Sequence, residues 1–141
     1  MSDPTDPSIR ATARTTSDDG YFNRIVSGHF EIVADEPAGE GGTDLGPAPF
    51  QLLLAALAAC SSMTVRMYAK RKGWPLGRIE VDLSILKADA AAGRPRDKVI
   101  RKLTLGGDLT PEQREKCLEI AKKCPVARTL EAGADIESTL A

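Results

Sequence analysis

The spacing of hydrophobic and polar positions changes along the chain, and each change predicts a different element. Residues 78–86 and 99–105 alternate apolar and polar side chains, which is typical of half-buried strands. Residues 49–72 are rich in Ala and Leu behind a proline, and Gly73 and Pro75 follow them. Alanine and leucine are strong helix formers, proline suits a first helical turn, and glycine and proline end helices. We therefore predict a long helix over 49–72, central and buried because its first half is apolar on nearly all sides.

Shorter segments complete the predicted order of elements. Turn signals at 18–20 and 27–28 separate three strand candidates, at residues 9–16, 21–26 and 30–34. Residues 110–113 (TPEQ) form a capping box that opens a helix to about residue 122. A short helix after Cys124 and a last strand over 135–140 end the chain. This order predicts an α+β fold with antiparallel strand pairing.

The overall composition limits the class of protein. The 141 residues fit one domain, predicted over 9–141 behind a disordered tail at 1–8. The net charge of −1 gives no general attraction to nucleic acid or to acidic membranes. The longest apolar run, 52–60, is far short of the roughly 20 residues of a membrane span, and the start of the chain lacks the pattern of a signal peptide. We expect a cytoplasmic protein, with no nucleic-acid or membrane partner.

Cofactor motifs are missing from the sequence. The glycine-rich loop at 36–48 contains neither GxGxxG nor the lysine of a P-loop, so we reject nucleotide binding. The three cysteines lack CxxC spacing, and His29 is the only histidine, which is too few ligands for a zinc site. We expect no cofactor and no metal.

Cys60 and Cys124 are the candidate reactive groups, because two thiols can cycle through a disulfide. Cys60 lies about three turns into the long helix, on an apolar face, where it could equally be a small buried hydrophobe. Its reactivity would require a cation from another element. Cys124 would cap the short helix near Lys122, Lys123 and Arg128, so electrostatics alone rank it as the better nucleophile. Cys117 is interpreted as a core residue.

Five specific motifs lie between about residues 21 and 140, namely 34–37 (ADEP), 41–49 (GGTDLGPAP), 52–60 (LLLAALAAC), 63–75 (MTVRMYAKRKGWP) and 124–130 (CPVARTL). With these motifs, most of the chain resembles the OsmC/Ohr family of thiol-dependent peroxidases and its OsmC-like relatives. The resemblance implies an intertwined homodimer in which two curved sheets enclose the long central helices. The active sites would lie at the subunit interface.

The resemblance also implies roles for individual residues. Cys60 would attack the O–O bond of a hydroperoxide, and Cys124 would resolve the sulfenic acid as a disulfide. A small dithiol or a thioredoxin-like protein would then reduce that disulfide. An apolar pocket suited to organic hydroperoxides is expected to be lined by Phe50, Leu53, Leu57 and Met63.

The sequence departs from the family pattern at three positions. Phe50 follows the proline that opens the helix, where the family's peroxidases carry a glutamate, and residues 18–20 replace a hairpin turn that carries an arginine. Ala127 stands where close relatives have a histidine. Arg14, Arg24 and Arg128 are the candidates for the missing cation.

Three functions stay open on the sequence. A thiol peroxidase is the first, and a non-catalytic protein of the same fold that binds a small molecule or senses redox state is the alternative. A thiol hydrolase or transferase that uses Cys124 with His29 is the third.

Overall fold

The computed structural model describes residues 7–141, so the first six residues of the predicted tail lie outside the described chain. The chain divides into two compact units. One comprises the described residues up to Leu53 together with 136–141, and the other comprises 54–135. Each unit contains one antiparallel sheet, which confirms the predicted α+β class.

The first unit contains a three-stranded sheet in the order β1-β2-β3. Its strands are β1 (Arg14–Thr16), β2 (Asn23–Ser27) and β3 (Phe30–Ala34). A two-residue turn joins β2 to β3, and Gly28 has a φ of 61° there, which a residue without a Cβ adopts at little cost. The first predicted strand is shorter than expected, because its pairing with β2 runs only from Arg14 opposite Val26 to Thr16 opposite Arg24.

A buried carboxylate organises the loop after β3. Asp35 is 2% exposed and accepts hydrogen bonds from the backbone N–H groups of Glu36, Thr43 and Leu45 and from the Thr43 hydroxyl. The Asp35 carboxylate therefore accepts hydrogen bonds from backbone N–H groups near both the start and the end of the loop. These N–H groups have no partner in a helix or a sheet, so the carboxylate satisfies them instead.

The second unit packs helices on one face of a two-stranded sheet. Helix α1 (Pro49–Lys72) begins in the first unit and continues into the second, and its bounds are those predicted. The remaining elements are β4 (Leu76–Leu86), β5 (Lys98–Gly107), α2 (Pro111–Lys122) and α3 (Pro125–Ala132). The predicted capping box is confirmed, because Thr110 and Gln113 each accept the other's backbone N–H.

The core of the second unit lies between the helices and the inner face of β4 and β5. One cluster contains the buried residues Val65, Cys117 and Ala121, against which apolar strand residues pack. Cys117 is 0% exposed, which confirms its interpretation as a core residue. A second cluster joins the middle of α1 to the start of α3 and contains the two cysteines of interest.

Helix α1 is less buried than predicted. Its buried residues form one stripe at a spacing of four, namely Leu57, Ser61, Val65 and Ala69. Met63 and Met67, on another face, are 64% and 70% exposed. The prediction of burial on all sides is wrong for the single chain, since β4, β5 and the later helices cover one side only. By length and composition alone α1 would also suit a membrane span, a test that core helices of soluble proteins pass as well.

The last predicted strand is also wrong. Residues 133–141 have no regular secondary structure, and Ile136 and Leu140 are 88% and 101% exposed. The alternating pattern of a strand stabilises it only where a neighbouring strand and a covered face exist, and this segment has neither among residues 7–141.

Candidate active site

The structure brings the two predicted redox cysteines together in one apolar cluster. Cys60, on α1, is partly exposed, whereas Cys124, immediately before α3, is 0% exposed. Both are free thiols, and Cys60 packs against the buried cluster that contains Cys124. Leu57 and Ala127 complete the buried part of the cluster. The two thiols therefore lie near each other, as the members of a redox pair must.

Cys124 occupies the position that caps α3. Its backbone is extended, with φ −62° and ψ 145°, because Pro125 follows it and begins the helix. Its sulfur makes no side-chain capping hydrogen bond. The N–H of Ala127 nevertheless lies close enough to favour a thiolate at Cys124. The first turn of α3 thus places a partial positive charge beside this sulfur.

Ser61 connects the thiol pair to a cation. It belongs to the buried stripe of α1 and is 0% exposed. Its hydroxyl donates to the backbone carbonyl of Leu57 at 2.7 Å and accepts from Nη1 of Arg101 at 2.8 Å. Its oxygen also lies 3.8 Å from Sγ of Cys124. Ser61 therefore touches both the arginine and the buried thiol.

Arg101 stands at an inward-facing position of β5. Side chains of β5 alternate between half-buried and exposed, and Arg101 falls in the half-buried set between Val99 and Leu103. In the register of the hairpin it lies opposite Leu83, another half-buried residue. A cation in an otherwise apolar set requires a partner, and Ser61 is that partner.

The surroundings of Cys124 act in opposite directions on its pKa. Burial raises the pKa, but the Ala127 N–H, the Cys60 and Ser61 side chains and the charge of Arg101 together outweigh burial, so the net pKa lies below the ordinary thiol value. Cys117 provides the contrast. Burial raises its pKa, and the charge of Arg114 offsets that only in part. Two cysteines that are equally inaccessible therefore differ in thiolate character because of their neighbours.

A cavity of about 350 Å³ adjoins the cysteine cluster. Apolar side chains line one part of it, and charged side chains from the loop before β5, from β5 and from α3 line the rest. The apolar residues are Leu57, Val99, Ala127 and Leu130, and the charged ones are Arg96, Asp97, Lys98, Arg101 and Glu131. Because Leu57, Val99, Ala127 and Leu130 also pack in the cysteine cluster, the cavity lies next to the thiols.

The predicted pocket residues occupy varied positions. Leu57 lines this cavity. Met63 is 64% exposed on α1, and Phe50, in the first unit, is 48% exposed. Leu53 is partly buried at the end of the first unit. A substrate role for all four residues stays a prediction.

The predicted cations are distributed over both units. Arg128 is exposed on α3, whereas Arg14 and Arg24 belong to the strands of the first unit. Arg24 forms an ion pair with Glu31 at 2.8 Å. Arg101, which the sequence reasoning missed, is the arginine found beside the cysteine cluster. Its signal in the sequence is a positive charge at an inward position of a strand with clean alternation.

His29 lies in the turn between β2 and β3, with its ring 4.0 Å from that of Phe30. Among residues 7–141, no group of three or more His, Cys, Asp or Glu side chains is arranged to hold a metal ion.

The family model of the OsmC-like proteins matches residues 41–139. That segment contains α1 and both cysteines of the cluster. No match was found among curated proteins.

Solved structures share the fold over most of the chain. The OsmC-like protein of Mycoplasma pneumoniae has a TM-score of 0.74 at 18% identity, covering 88% of this chain and 89% of its own. The organic hydroperoxide resistance protein OhrB of Bacillus subtilis has a TM-score of 0.60 at 25% identity, covering 90% of this chain and 94% of its own. The organic hydroperoxide resistance protein OsmC of Legionella pneumophila has a TM-score of 0.63 at 19% identity, covering 87% and 90%.

Proposed function

Because the chain belongs to the OsmC-like family, we propose that it is a thiol-dependent peroxidase that reduces organic hydroperoxides. The observation that carries the proposal is that Cys60 and Cys124 belong to one cluster beside a cavity. The names of the Bacillus subtilis and Legionella pneumophila structures, organic hydroperoxide resistance proteins, point in the same direction.

The two thiols have complementary exposures for such a cycle. Cys60 is partly exposed, so a hydroperoxide reaches it first. Its sulfur attacks the O–O bond, which breaks to leave a sulfenic acid on Cys60 and an alkoxide that takes a proton to become the alcohol. Cys124 then attacks the sulfenic sulfur. An S–S bond forms, the S–O bond breaks, and the oxygen leaves as water.

The cavity suits a substrate with an apolar organic group. Its apolar lining is formed by Leu57, Val99, Ala127 and Leu130, which are also neighbours of the thiols. An alkyl or aryl hydroperoxide would bury its organic part there, a gain that hydrogen peroxide cannot make.

A homodimer is part of the proposal. Met63 and Met67 lie four residues apart on a face of α1 that the single chain leaves exposed. Contiguous exposed apolar side chains on a long helix favour association, and a second copy is the partner that the family resemblance leads us to expect. A small dithiol or a thioredoxin-like protein in the cytoplasm would return the disulfide to the thiols.

Consumption of cumene hydroperoxide by the reduced protein, with dithiothreitol as the electron donor, tests the proposal. Wild type and Cys117→Ser should turn over alike, whereas Cys60→Ser should lose turnover. In Cys124→Ser, a sulfenic acid should be trapped at Cys60. Absence of turnover in the wild type, with Cys60 unmodified after peroxide, would contradict the peroxidase.

The second candidate is a small-molecule binding or redox-sensing protein on the same fold. The cavity of about 350 Å³ favours it, because a volume of that size accommodates a small ligand without any reaction. Phe50 at the position of the family glutamate also favours it. Turnover in the cumene hydroperoxide assay excludes a purely binding role.

A further inference from the structure

The cavity beside the thiols has a surplus of positive charge in its lining. Three cations and two carboxylates line it, namely Arg96, Lys98, Arg101, Asp97 and Glu131. Asp97 is already paired, because one of its oxygens accepts from Lys87 at 2.5 Å and the other accepts from the Ala88 N–H at 2.7 Å. Lys87 is not part of the lining. Among the residues that the structure describes, the three cations therefore face one carboxylate without an ion pair, that of Glu131.

Hydrogen bonds place these cations at two ends of the cavity. At the thiol end, Arg101 donates to Ser61, whose oxygen lies 3.8 Å from Sγ of Cys124 at the start of α3. At the distal end, Arg96 donates to the backbone oxygen of Glu131 at 3.3 Å, in the last turn of α3. Seven residues of helix span roughly 10 Å, so the two ends are about that far apart.

Strand β5 gives Lys98 the same distal position. Lys98 begins the strand and precedes Arg101 by three residues, which is roughly 10 Å of extended chain. It therefore lies with Arg96 at the distal end, away from the thiols. Neither Arg96 nor Lys98 forms an ion pair with another residue of 7–141. Both cations are exposed and able to bind an anion.

Apolar surface separates the two ends. Ala127 lies between Cys124 and Glu131 along α3, and Val99 lies between Lys98 and Arg101 along β5, and both line the cavity. The cavity volume of about 350 Å³ is near the lower limit for small-molecule pockets. A ligand that fits is therefore compact, with an apolar middle part and a negative charge at the distal end.

Resting on the proposed peroxidase, we propose that the substrate is a compact hydroperoxide with a carboxylate at the end opposite to its O–O bond. Arg96 and Lys98 are the specificity-determining residues, because guanidinium and ammonium groups form charge-assisted hydrogen bonds with carboxylates. The O–O bond then reaches Cys60 at the thiol end. The opposite orientation is disfavoured, because it would place the carboxylate beside the thiols, where negative charge develops during the reaction. The covalent steps of the peroxidase are unchanged, because the carboxylate takes no part in them.

A matched pair of substrates tests the proposal, namely cumene hydroperoxide and its derivative with a carboxylate at the para position of the ring. The two share the ring and the reacting group, and they differ in the carboxylate opposite the O–O bond. For the wild type, kcat/KM should be about fivefold higher for the carboxylate, a modest factor because Arg96 and Lys98 are exposed. Added salt should reduce this preference, since it screens exposed charges.

Substitutions in the lining should change the preference in opposite directions. Lys98→Met and Arg96→Gln should each lower it, and the double variant should bring it to about one, because no distal cation then remains. Lys98→Arg should retain it. Glu131→Gln should raise it, since the carboxylate of Glu131 competes for the same cations. Lys102→Met is the matched control, because it removes an exposed cation of β5 that does not line the cavity, and it should leave the preference unchanged.

Equal kcat/KM for the two substrates in the wild type, or a preference that survives in the double variant, would overturn the proposal and leave the peroxidase intact. A second readout does not require peroxide. Para-isopropylbenzoate, which lacks the hydroperoxide, should bind the wild type about fivefold more tightly than the double variant in titration calorimetry. Equal binding to both proteins would also overturn the proposal. Tighter binding to the wild type, without turnover of either hydroperoxide, would support the distal anion site and contradict the proposed function instead.

Discussion

Arg101 donates a hydrogen bond of 2.8 Å to Ser61, and this bond joins an inward position of β5 to the buried stripe of α1. Both residues are polar at positions where the alternation of the strand and the spacing of the helix call for apolar side chains. Such local exceptions to the folding pattern concentrate at functional sites. Here they lie beside the thiol pair.

Replacement of Arg101 by methionine should separate stability from activity. An apolar side chain fits the inward face of β5, and Ser61 keeps its bond to the Leu57 carbonyl, so no buried polar group loses its only partner. The free energy of unfolding should therefore stay equal or rise by about 1 kcal/mol, while peroxide turnover falls. Urea denaturation beside the turnover assay measures both quantities.

Lys102→Met is the matched control for that substitution, because Lys102 is the exposed neighbour on the opposite face of β5. It should leave turnover unchanged. A loss of stability in Arg101→Met together with normal turnover would mean that the arginine is only structural.

The three cysteines should react with iodoacetamide in a fixed order. Cys60 is partly exposed, so it should be alkylated first in the folded protein. Cys124 should react second. Its burial slows alkylation, but its neighbours lower its pKa and so favour the reactive thiolate. Cys117 should be the last, since it is 0% exposed and burial raises its pKa. Peptide mass spectrometry over time measures the order, and early labelling of Cys117 would contradict it.

Asp35 should make the free energy of unfolding depend on pH in the acidic range. The Thr43 hydroxyl and then the backbone N–H groups of the loop lower its pKa from 3.8, although desolvation acts against them. A carboxylate with a lowered folded pKa contributes stability that is fully present above its unfolded pKa and is lost as pH falls through the folded value. Urea midpoints measured from neutral to acidic pH should therefore fall below about pH 4.

Thr43→Val should weaken this dependence, because it removes the hydroxyl that lowers the pKa most. Thr43→Ser retains a hydroxyl and should behave like the wild type. Equal acid profiles for all three proteins would show that the loop carboxylate does not contribute.

The exposed face of α1 should govern the oligomeric state. Met67 is 70% exposed and Met63 is 64% exposed in the single chain, and a second copy would cover them. Met67→Glu should shift a dimer towards monomer, since burying an unpaired carboxylate is costly. Light scattering after size exclusion measures the shift. Lys122→Glu, an exposed charge reversal on α2, should leave the dimer unchanged. A wild-type monomer at every concentration would contradict the dimer.

The sequence predicted α1 to the residue because its signals are local. Pro49 begins the helix, Ala and Leu fill it, and Gly73, with a φ of 69°, ends it. The Thr110 capping box is local in the same way. The prediction of a last strand over 135–140 was wrong because an alternating pattern alone does not provide the neighbouring strand with which it must pair.

The candidate site was only partly predictable for the same reason. The two cysteines have motifs of their own, but the bond between Arg101 and Ser61 links positions 40 residues apart. These two side chains come into contact because of the register between β4 and β5 and the orientation of α1 about its own axis. Arg101 is nevertheless detectable as a cation in the apolar set of its strand, whereas nearness to the first hairpin turn and to Cys124 favours Arg14, Arg24 and Arg128.

The most direct test of the account is the intact mass of the reduced protein after one equivalent of cumene hydroperoxide. We expect the loss of two hydrogen atoms, mapped by peptide analysis to a Cys60–Cys124 disulfide, with the same result in Cys117→Ser. Protein that remains fully reduced, or in which Cys60 is oxidised without linking to Cys124, would contradict the redox pair.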